Sequence, residues 1–273
     1  MEKVKLNNGV EMPWVGLGVF RIEDNKEAER VVETALSVGY RHIDTAMYYL
    51  NEEAVGKAIR KSGIPREEIF VTTKMWNDDQ RSGKVKEAFD ASMKRLDIDY
   101  IDLYLIHWPV EGKFIETWKK FEEIYATGKV KAIGVSNFKA HHLEALAKES
   151  KITPAVNQIE LHPYLIQEDD LNYCKKAGIR TGAWSQFAAN QTGLLDEKIL
   201  TGLAGKYSKS PAQIILRWNY QRGVVTIPKS ANEKRMAENL NIFDFSLTDE
   251  DIKAINSLNK NMRIGPDPDH VDF

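Results

Sequence analysis

The sequence predicts an α/β fold: a (β/α)8 TIM barrel preceded by a β-hairpin and carrying two extra helices. Three observations predict it. Short strand-like runs alternate with stretches of helical period, eight such runs can be counted, and 273 residues suit one closed barrel. The whole chain, residues 1–273, is therefore expected to form a single barrel domain. An open, doubly wound sheet is the second choice, because it shares the same alternation.

In chain order, the apolar-polar alternation through Val4, Leu6, Val10 and Met12 marks the hairpin. The strand candidates are Val15–Gly18, His42–Asp44, Ile69–Thr73, Ile101–Ile106, Val130–Val135, Ala155–Ile159, Arg180–Trp184 and Val224–Ile227. Helical period runs through Asn25–Val38, Glu52–Lys61, Ser82–Leu96, Glu116–Ala126, Ala140–Lys148, Glu168–Lys176 and Pro211–Gln221. Gly39, Gly63, Gly128 and Gly178 follow four of these stretches, where a left-handed residue is expected to end the helix. Asp196–Ala204 and Thr248–Leu258 fall outside the repeat and read as the extra helices. The tail NMRIGPDPDHVDF, with Gly265, Pro266 and Pro268, is expected to be an irregular flap.

Composition narrows the function classes. With 42% hydrophobic and 29% charged residues, and no unbroken apolar run of the ~18 residues a membrane span needs, a soluble protein is expected. Net charge is −2 with the signs interleaved, which argues against nucleic acid or an anionic membrane as partner. Cys174 is the one cysteine, so no internal disulfide can form, and MEKVKLNNGVEMP does not resemble a secretory signal. A cytoplasmic monomer acting on a small molecule is the expectation.

In such a barrel, working groups project from the C-terminal ends of the strands. Asp44 closes RHID, Tyr49 lies in the loop beyond it, Lys74 closes IFVTTK and His107 closes IDLYLIH. Singly, each has an ordinary reading: a cap, a packed ring, a solvated lysine, a core imidazole. Together they make a proton relay. An ammonium beside a phenol stabilises the phenolate and lowers its pKa from ~10, a carboxylate keeps the ammonium charged, and an imidazole can orient a carbonyl oxygen. No HExxH spacing points to a metal, and His141 and His142 are expected to face solvent. Without a protein nucleophile, the reducing agent has to come from outside, and nicotinamide hydride is the natural choice.

The stretches GYRHIDTAMYYLNEEAVGKAI, VTTKMWNDDQ, DLYLIHWP, GKVKAIGVSNF, VNQIELHPY and IPKSANEKRMAENLNIFDFSLT resemble, in order, the motifs of the aldo-keto reductase superfamily. The compact loop after His107 is similar to that of its shorter microbial members, the 2,5-diketo-D-gluconate reductase and glyoxal reductase group. The resemblance implies NADPH-dependent reduction of aldehydes and ketones, with Asp44, Tyr49, Lys74 and His107 as catalytic tetrad. Tyr49 is chosen over Tyr48 because the acid of the family pattern lies five residues after the aspartate and two before the Asn-Glu pair.

It also implies an extended NADP across the barrel mouth in place of a Rossmann site, and no GxGxxG joins a strand to a helix here; GLG at 16–18 is too short to count. Ser136, Asn137 and Gln158 would hold the carboxamide, and Trp184 would stack on the nicotinamide. Ser185 and Gln186 would flank the pyrophosphate, with Phe20 near the cofactor. Lys229, Ser230, Arg235, Glu238 and Asn239 would take the adenosine 2′-phosphate and its surroundings. Trp76, Trp108 and His107 would face the substrate. One departure stands out: where the family reads Ser-Pro-Leu and then Gly, this chain reads Ser185-Gln186-Phe187 followed by Ala188, Ala189 and Asn190. Two alternatives remain at this level, a nucleotide-binding regulatory barrel without turnover and a metal-dependent barrel hydrolase or isomerase.

Overall fold

The computed structural model describes residues 2–190 and 192–273. Strands β1 (Lys3–Lys5) and β2 (Glu11–Pro13) pair antiparallel as the expected hairpin. Its apolar face, Val4, Leu6 and Met12, packs with Phe70, Leu103, Ala132 and Val225 and so plugs the N-terminal end of the barrel. Among the described residues, eight parallel strands follow: β3 (Leu17–Gly18), β4 (His42–Asp44), β5 (Phe70–Met75), β6 (Ile101–Ile106), β7 (Val130–Ser136), β8 (Val156–Glu160), β9 (Arg180–Trp184) and β10 (Val225–Thr226). They pair in sequence order, and a parallel bridge from Val15 to Thr226 joins the two ends, so the closed sheet, not the open alternative, is the fold.

The seam between β3 and β10 explains the GLG run. Gly16 N donates to the Thr226 carbonyl at 2.8 Å, Thr226 N to the Trp14 carbonyl at 3.0 Å, and Gly18 N to the Pro228 carbonyl at 3.3 Å. A Cβ on Gly16 would lie 2.4 Å from His42 Nδ1, and one on Gly18 2.8 Å from the Ile227 carbonyl oxygen. Gly16 thus leaves room for the His42 ring, and Gly18 lets the two backbones close up.

Helices α1 (Asn25–Val38), α2 (Glu52–Lys61), α4 (Val85–Leu96), α5 (Phe114–Ala126), α6 (Ala140–Glu149), α7 (Glu168–Lys176) and α9 (Pro211–Gln221) return the chain between strands, and α10 (Glu233–Leu240) follows the last strand. Local chemistry starts them: Asp24 accepts from Glu27 N ahead of α1, and Ser210 with Gln213 forms a capping box around Pro211 ahead of α9. Gly39, Gly63, Gly128 and Gly178 have φ of 116°, 68°, 75° and 71°, as helix-ending residues do.

Several boundaries differ from expectation. The stretch Ser82–Leu96 is two helices, because Gly83 at φ 70° ends α3 (Asn77–Ser82) before α4 begins. The first extra helix, α8 (Lys198–Tyr207), starts and ends later than expected, since Glu197 is extended at its head. The other is α11 (Asp249–Asn256), capped by Thr248. The two strands that meet at the seam are shorter than expected, β3 starting at Leu17 and β10 spanning Val225–Thr226. Among the described residues, no helix is long and apolar enough to cross a membrane.

The tail is irregular as expected, yet it is held at three places. Ile264 N and Gly265 N donate to the Glu160 carboxylate at 2.6 and 3.0 Å, Lys139 Nζ pairs with Asp267 and Asp269 at 2.6 Å each, and Arg81 donates to the Val271 and Phe273 carbonyls at 3.1 and 2.8 Å.

Candidate active site

Side chains two apart on a strand share a face. Phe70 packs against the plug inside the barrel, so Thr72 and then Lys74 follow it along the inner face of β5. The same count runs Leu103, Leu105 and His107 through β6, and Val156, Gln158 and Glu160 along β8. His42 Nε2 meets Thr72 Oγ1 at 3.0 Å, which puts His42 and Asp44 of β4 on this face too. Strand alternation thus lifts Asp44, Lys74 and His107 together to the mouth.

There Lys74 Nζ donates to Asp44 Oδ1 at 2.5 Å, to the Thr45 carbonyl at 2.9 Å and to Tyr49 Oη at 3.5 Å. Asp44 Oδ2 accepts from Gln158 Nε2 at 2.7 Å. Lys74 and Asp44 are each 1% exposed, and charges so deep persist only when paired and hydrogen-bonded. Tyr49 is half-buried at the end of a single 3-10 turn, Met47–Tyr49, while Tyr48 is half exposed and stacks on Trp76 with centroids 3.9 Å apart. Tyr49 and not Tyr48 meets the lysine.

Burial works against the Lys74 charge, but Asp44 and Tyr49 outweigh it and hold its pKa above the ordinary lysine value. For Tyr49, burial is the largest influence and raises the phenol above its ordinary value; Lys74 pulls it down, and Asp44 pushes it up. The expectation of a lowered phenol is therefore corrected. The ammonium acts in the expected direction, yet loss of hydration wins. Tyr49 keeps its proton at neutral pH, which a donor must do. Burial, then Lys74, pushes the His107 imidazole well below its ordinary value, so it is neutral. Its ring stands edge-on to Tyr49 at 5.7 Å.

Aromatic rings wall this centre. Phe20 lies 4.9 Å from Tyr49, Trp76 5.1 Å from His107, and Trp108 6.4 Å from Trp184. The tail adds Phe273, 5.3 Å from Trp108 and 6.0 Å from Trp76. Sequence reasoning missed Phe273 because nothing in an irregular tail tells where its end folds back.

The strand ends from β7 onward carry the cofactor candidates. Ser136 Oγ donates to the Gln158 carbonyl at 2.8 Å, Asn137 Nδ2 to the His107 carbonyl at 3.0 Å, and Trp184 Nε1 to Asn137 Oδ1 at 2.8 Å. These four residues are thus brought together beside the tetrad candidates. Lys229, Ser230 and Arg235 lie across the rim near the start of α10, whose cap Asn232 accepts from Arg235 N at 3.0 Å. Lys229 Nζ donates to the Arg21 carbonyl at 3.0 Å, and burial followed by the nearby Arg21 charge lowers its pKa, with Glu23 opposing. Arg21, Lys229 and Arg235 make no ion pair among the described residues. Arg21 was not singled out in the sequence; a lone arginine in a loop gives no signal of the cations it will join. Glu238 is half-buried, whereas Asn239 is buried near Tyr40.

The loop after β9 shows what its missing glycine does. Gln186 is buried and turns back to donate to the Ala183 carbonyl at 2.5 Å, and Ser185 Oγ accepts from Ala189 N at 3.2 Å. Ser185, Ala188 and Ala189 have φ of 57°, 49° and 53°, left-handed conformations that cost a non-glycine residue roughly 1 kcal/mol. Ala189→Gly should stabilise the fold by a few tenths to about 1 kcal/mol, after the greater entropy of the unfolded glycine chain is subtracted. Urea unfolding midpoints would measure this, and an unstable variant would show that the loop carries no such strain.

His141 is exposed as expected, but His142 is not: it packs its ring near Phe114 and Phe138 at 5.8 and 5.9 Å. Neighbours on a helix point about 100° apart, and here that turn carries the second ring in against Phe114 and Phe138. Both reach Asp269 Oδ1, at 3.0 and 3.5 Å. His142 Nδ1 accepts from Lys139 N at 3.2 Å, so the neutral ring turns an N–H, not a lone pair, toward Asp269.

An eight-stranded barrel whose mouth joins a buried lysine-carboxylate pair to a protonated tyrosine and a neutral histidine defines a class, the barrel oxidoreductases that handle a carbonyl oxygen by proton transfer. The chain belongs to the aldo/keto reductase family, whose model matches residues 15–260. It is 53% identical over 272 residues to the glyoxal reductase of Bacillus subtilis strain 168, spanning 100% of this chain and 98% of that one. Among solved structures, the aldo-keto reductase MGS-M4 from a Medee basin deep-sea metagenome library superposes with a TM-score of 0.95 at 49% identity, covering 99% of this chain and 100% of that chain. A Bombyx mori aldo-keto reductase solved in complex with NADP gives 0.93 at 40% identity, covering 100% and 97%. The chain is thus an oxidoreductase that reduces carbonyl groups.

Proposed function

We propose that the chain, acting as one barrel domain, reduces aldehydes and ketones to alcohols with NADPH, Tyr49 giving the proton. The observation that carries this reading is the contact of Tyr49 with a buried Lys74 that is itself fixed by Asp44. Bound NADPH supplies the hydride. Lys74 stabilises the phenolate left when Tyr49 protonates the carbonyl oxygen, and Asp44 keeps Lys74 charged. Neutral His107 orients that oxygen toward the phenol, and the aromatic walls exclude water.

The residues present suit the cofactor. Arg21 and Lys229 lie close together at one side of the mouth, and Arg235 stands in the first turn of α10 after them; none of the three forms an ion pair among the described residues, which suits a phosphate. Ser136, Asn137 and Gln158 offer amide and hydroxyl groups, and Trp184 a ring, for the nicotinamide end. The likeness to a glyoxal reductase makes small dicarbonyls the first compounds to assay. Steady NADPH oxidation with glyoxal, methylglyoxal or simple aldehydes is the expected result; tight NADPH binding without turnover on any carbonyl would support a regulatory barrel instead.

The choice of nucleotide has its own test. Arg235→Ala should weaken NADPH binding about tenfold, the effect of one charge-assisted hydrogen bond worth roughly 1.5 kcal/mol, with NADH little changed. Equal losses for both nucleotides would remove Arg235 from the 2′-phosphate.

A further inference from the structure

Asn51 occupies the N-cap position of α2, where an asparagine side chain usually accepts from a first-turn amide. It makes no such bond. The side chain is fully buried and committed elsewhere: Oδ1 accepts from Thr45 Oγ1 at 2.7 Å, and Nδ2 donates to the Val19 and Ile22 carbonyls at 3.0 and 3.1 Å. A residue that could cap its own helix instead ties together two loops of the mouth.

Both loops reach the proton donor. Val19 to Ile22 is a turn, closed by Ile22 N on the Val19 carbonyl at 3.3 Å, that passes through Arg21 at φ 59° and sets Phe20 against the Tyr49 ring. Thr45 supplies the carbonyl that Lys74 Nζ meets at 2.9 Å. An ammonium has three N–H groups in fixed tetrahedral relation. Lys74 directs them at Asp44, Thr45 and Tyr49, so the first two partners aim the third. If the Thr45 carbonyl moves, the N–H that faces the phenol swings away.

From this we infer that Asn51 is a positioning residue for the proton donor: it fixes Thr45, and through it the aim of Lys74 at Tyr49, while holding Phe20 against the tyrosine. It acts on the reaction only through these neighbours. The inference rests on Tyr49 as the donor.

The test reads the pH profile of alcohol oxidation, in which activity rises with pH as the phenol loses its proton. Lys74 from β5, Asp44 from β4 and neutral His107 beyond β6 face that phenol. A loosened Lys74 stabilises the phenolate less, so the rising limb should move to higher pH. Asn51→Ala and Thr45→Val should each shift it upward by about half a pH unit or more and lower kcat about tenfold, with KM for the alcohol little changed. Thr45→Ser, which keeps the hydroxyl, should retain the wild-type limb. Asn51→Ala also strips partners from two buried carbonyls; if it does not fold, the near-isosteric Thr45→Val answers the question alone. Limbs that coincide in the wild type and in whichever of these variants folds, with only the melting temperature lowered, overturn the inference. A wild-type limb that survives in Tyr49→Phe instead fails the donor reading, so the two failures are told apart.

Discussion

Tyr49→Phe should lower carbonyl reduction about a thousandfold, within the range of a lost general acid, while NADPH binds almost as before. The substitution removes one oxygen. The ring contacts with Phe20 at 4.9 Å and His107 at 5.7 Å can persist, and Lys74 loses only its longest hydrogen bond, 3.5 Å. The damage is therefore confined to proton delivery. Single-turnover rates and nucleotide titration by fluorescence check both halves, and undiminished turnover would remove Tyr49 from the donor's role.

Lys74→Met should harm both chemistry and fold. Methionine fills much of the volume but leaves Asp44, 1% exposed, as a buried carboxylate held only by Gln158. Breaking a buried pair by removing one member costs about 3–5 kcal/mol, which lowers the melting temperature by roughly 10 °C in a protein of this size. Reduction should fall at least about a hundredfold, since the phenolate loses its stabilising charge. Burial raises the Asp44 pKa against the pulls of Lys74 and Gln158, and losing Lys74 raises it further. A carboxyl whose folded pKa exceeds its unfolded one contributes stability at low pH that is lost as pH rises through the folded pKa. The stability deficit of Lys74→Met should accordingly shrink on acidification. Adding Asp44→Asn should restore much of the stability and none of the activity; a pair whose losses simply add would show that the two groups do not act together.

Much of this was legible in the sequence. Strand period and glycine punctuation predicted the barrel, and α1, α2, α7 and α9 begin and end where the pattern places them. Asp44, Lys74 and His107 were legible because alternation puts polar ends of apolar strands at one rim. What escaped depends on distant segments meeting. Gly16 makes sense only once His42 of β4 lies beside it and Gly18 once β10 does, and α3, which Gly83 ends, has no apolar residue to give it a period. Arg21, Phe273 and Asn51 lie in loops or the tail, where no period constrains them. The direction of the Tyr49 shift escaped for another reason: the sequence shows which charges are near, not how much water they lose.

The rim is split. In the proposed function, proton handling falls to the ends of β4 to β6 and nucleotide binding mostly to those of β7 to β10, while Tyr48, Trp76 and Phe273 form an outer aromatic edge. That edge contributes no hydrogen bond to the tetrad side chains among the described residues. Such modularity leaves Tyr48 and Phe273 open to redesign for new carbonyl compounds, while Trp76, packed edge-on against His107 at 5.1 Å, is the member of the edge to keep.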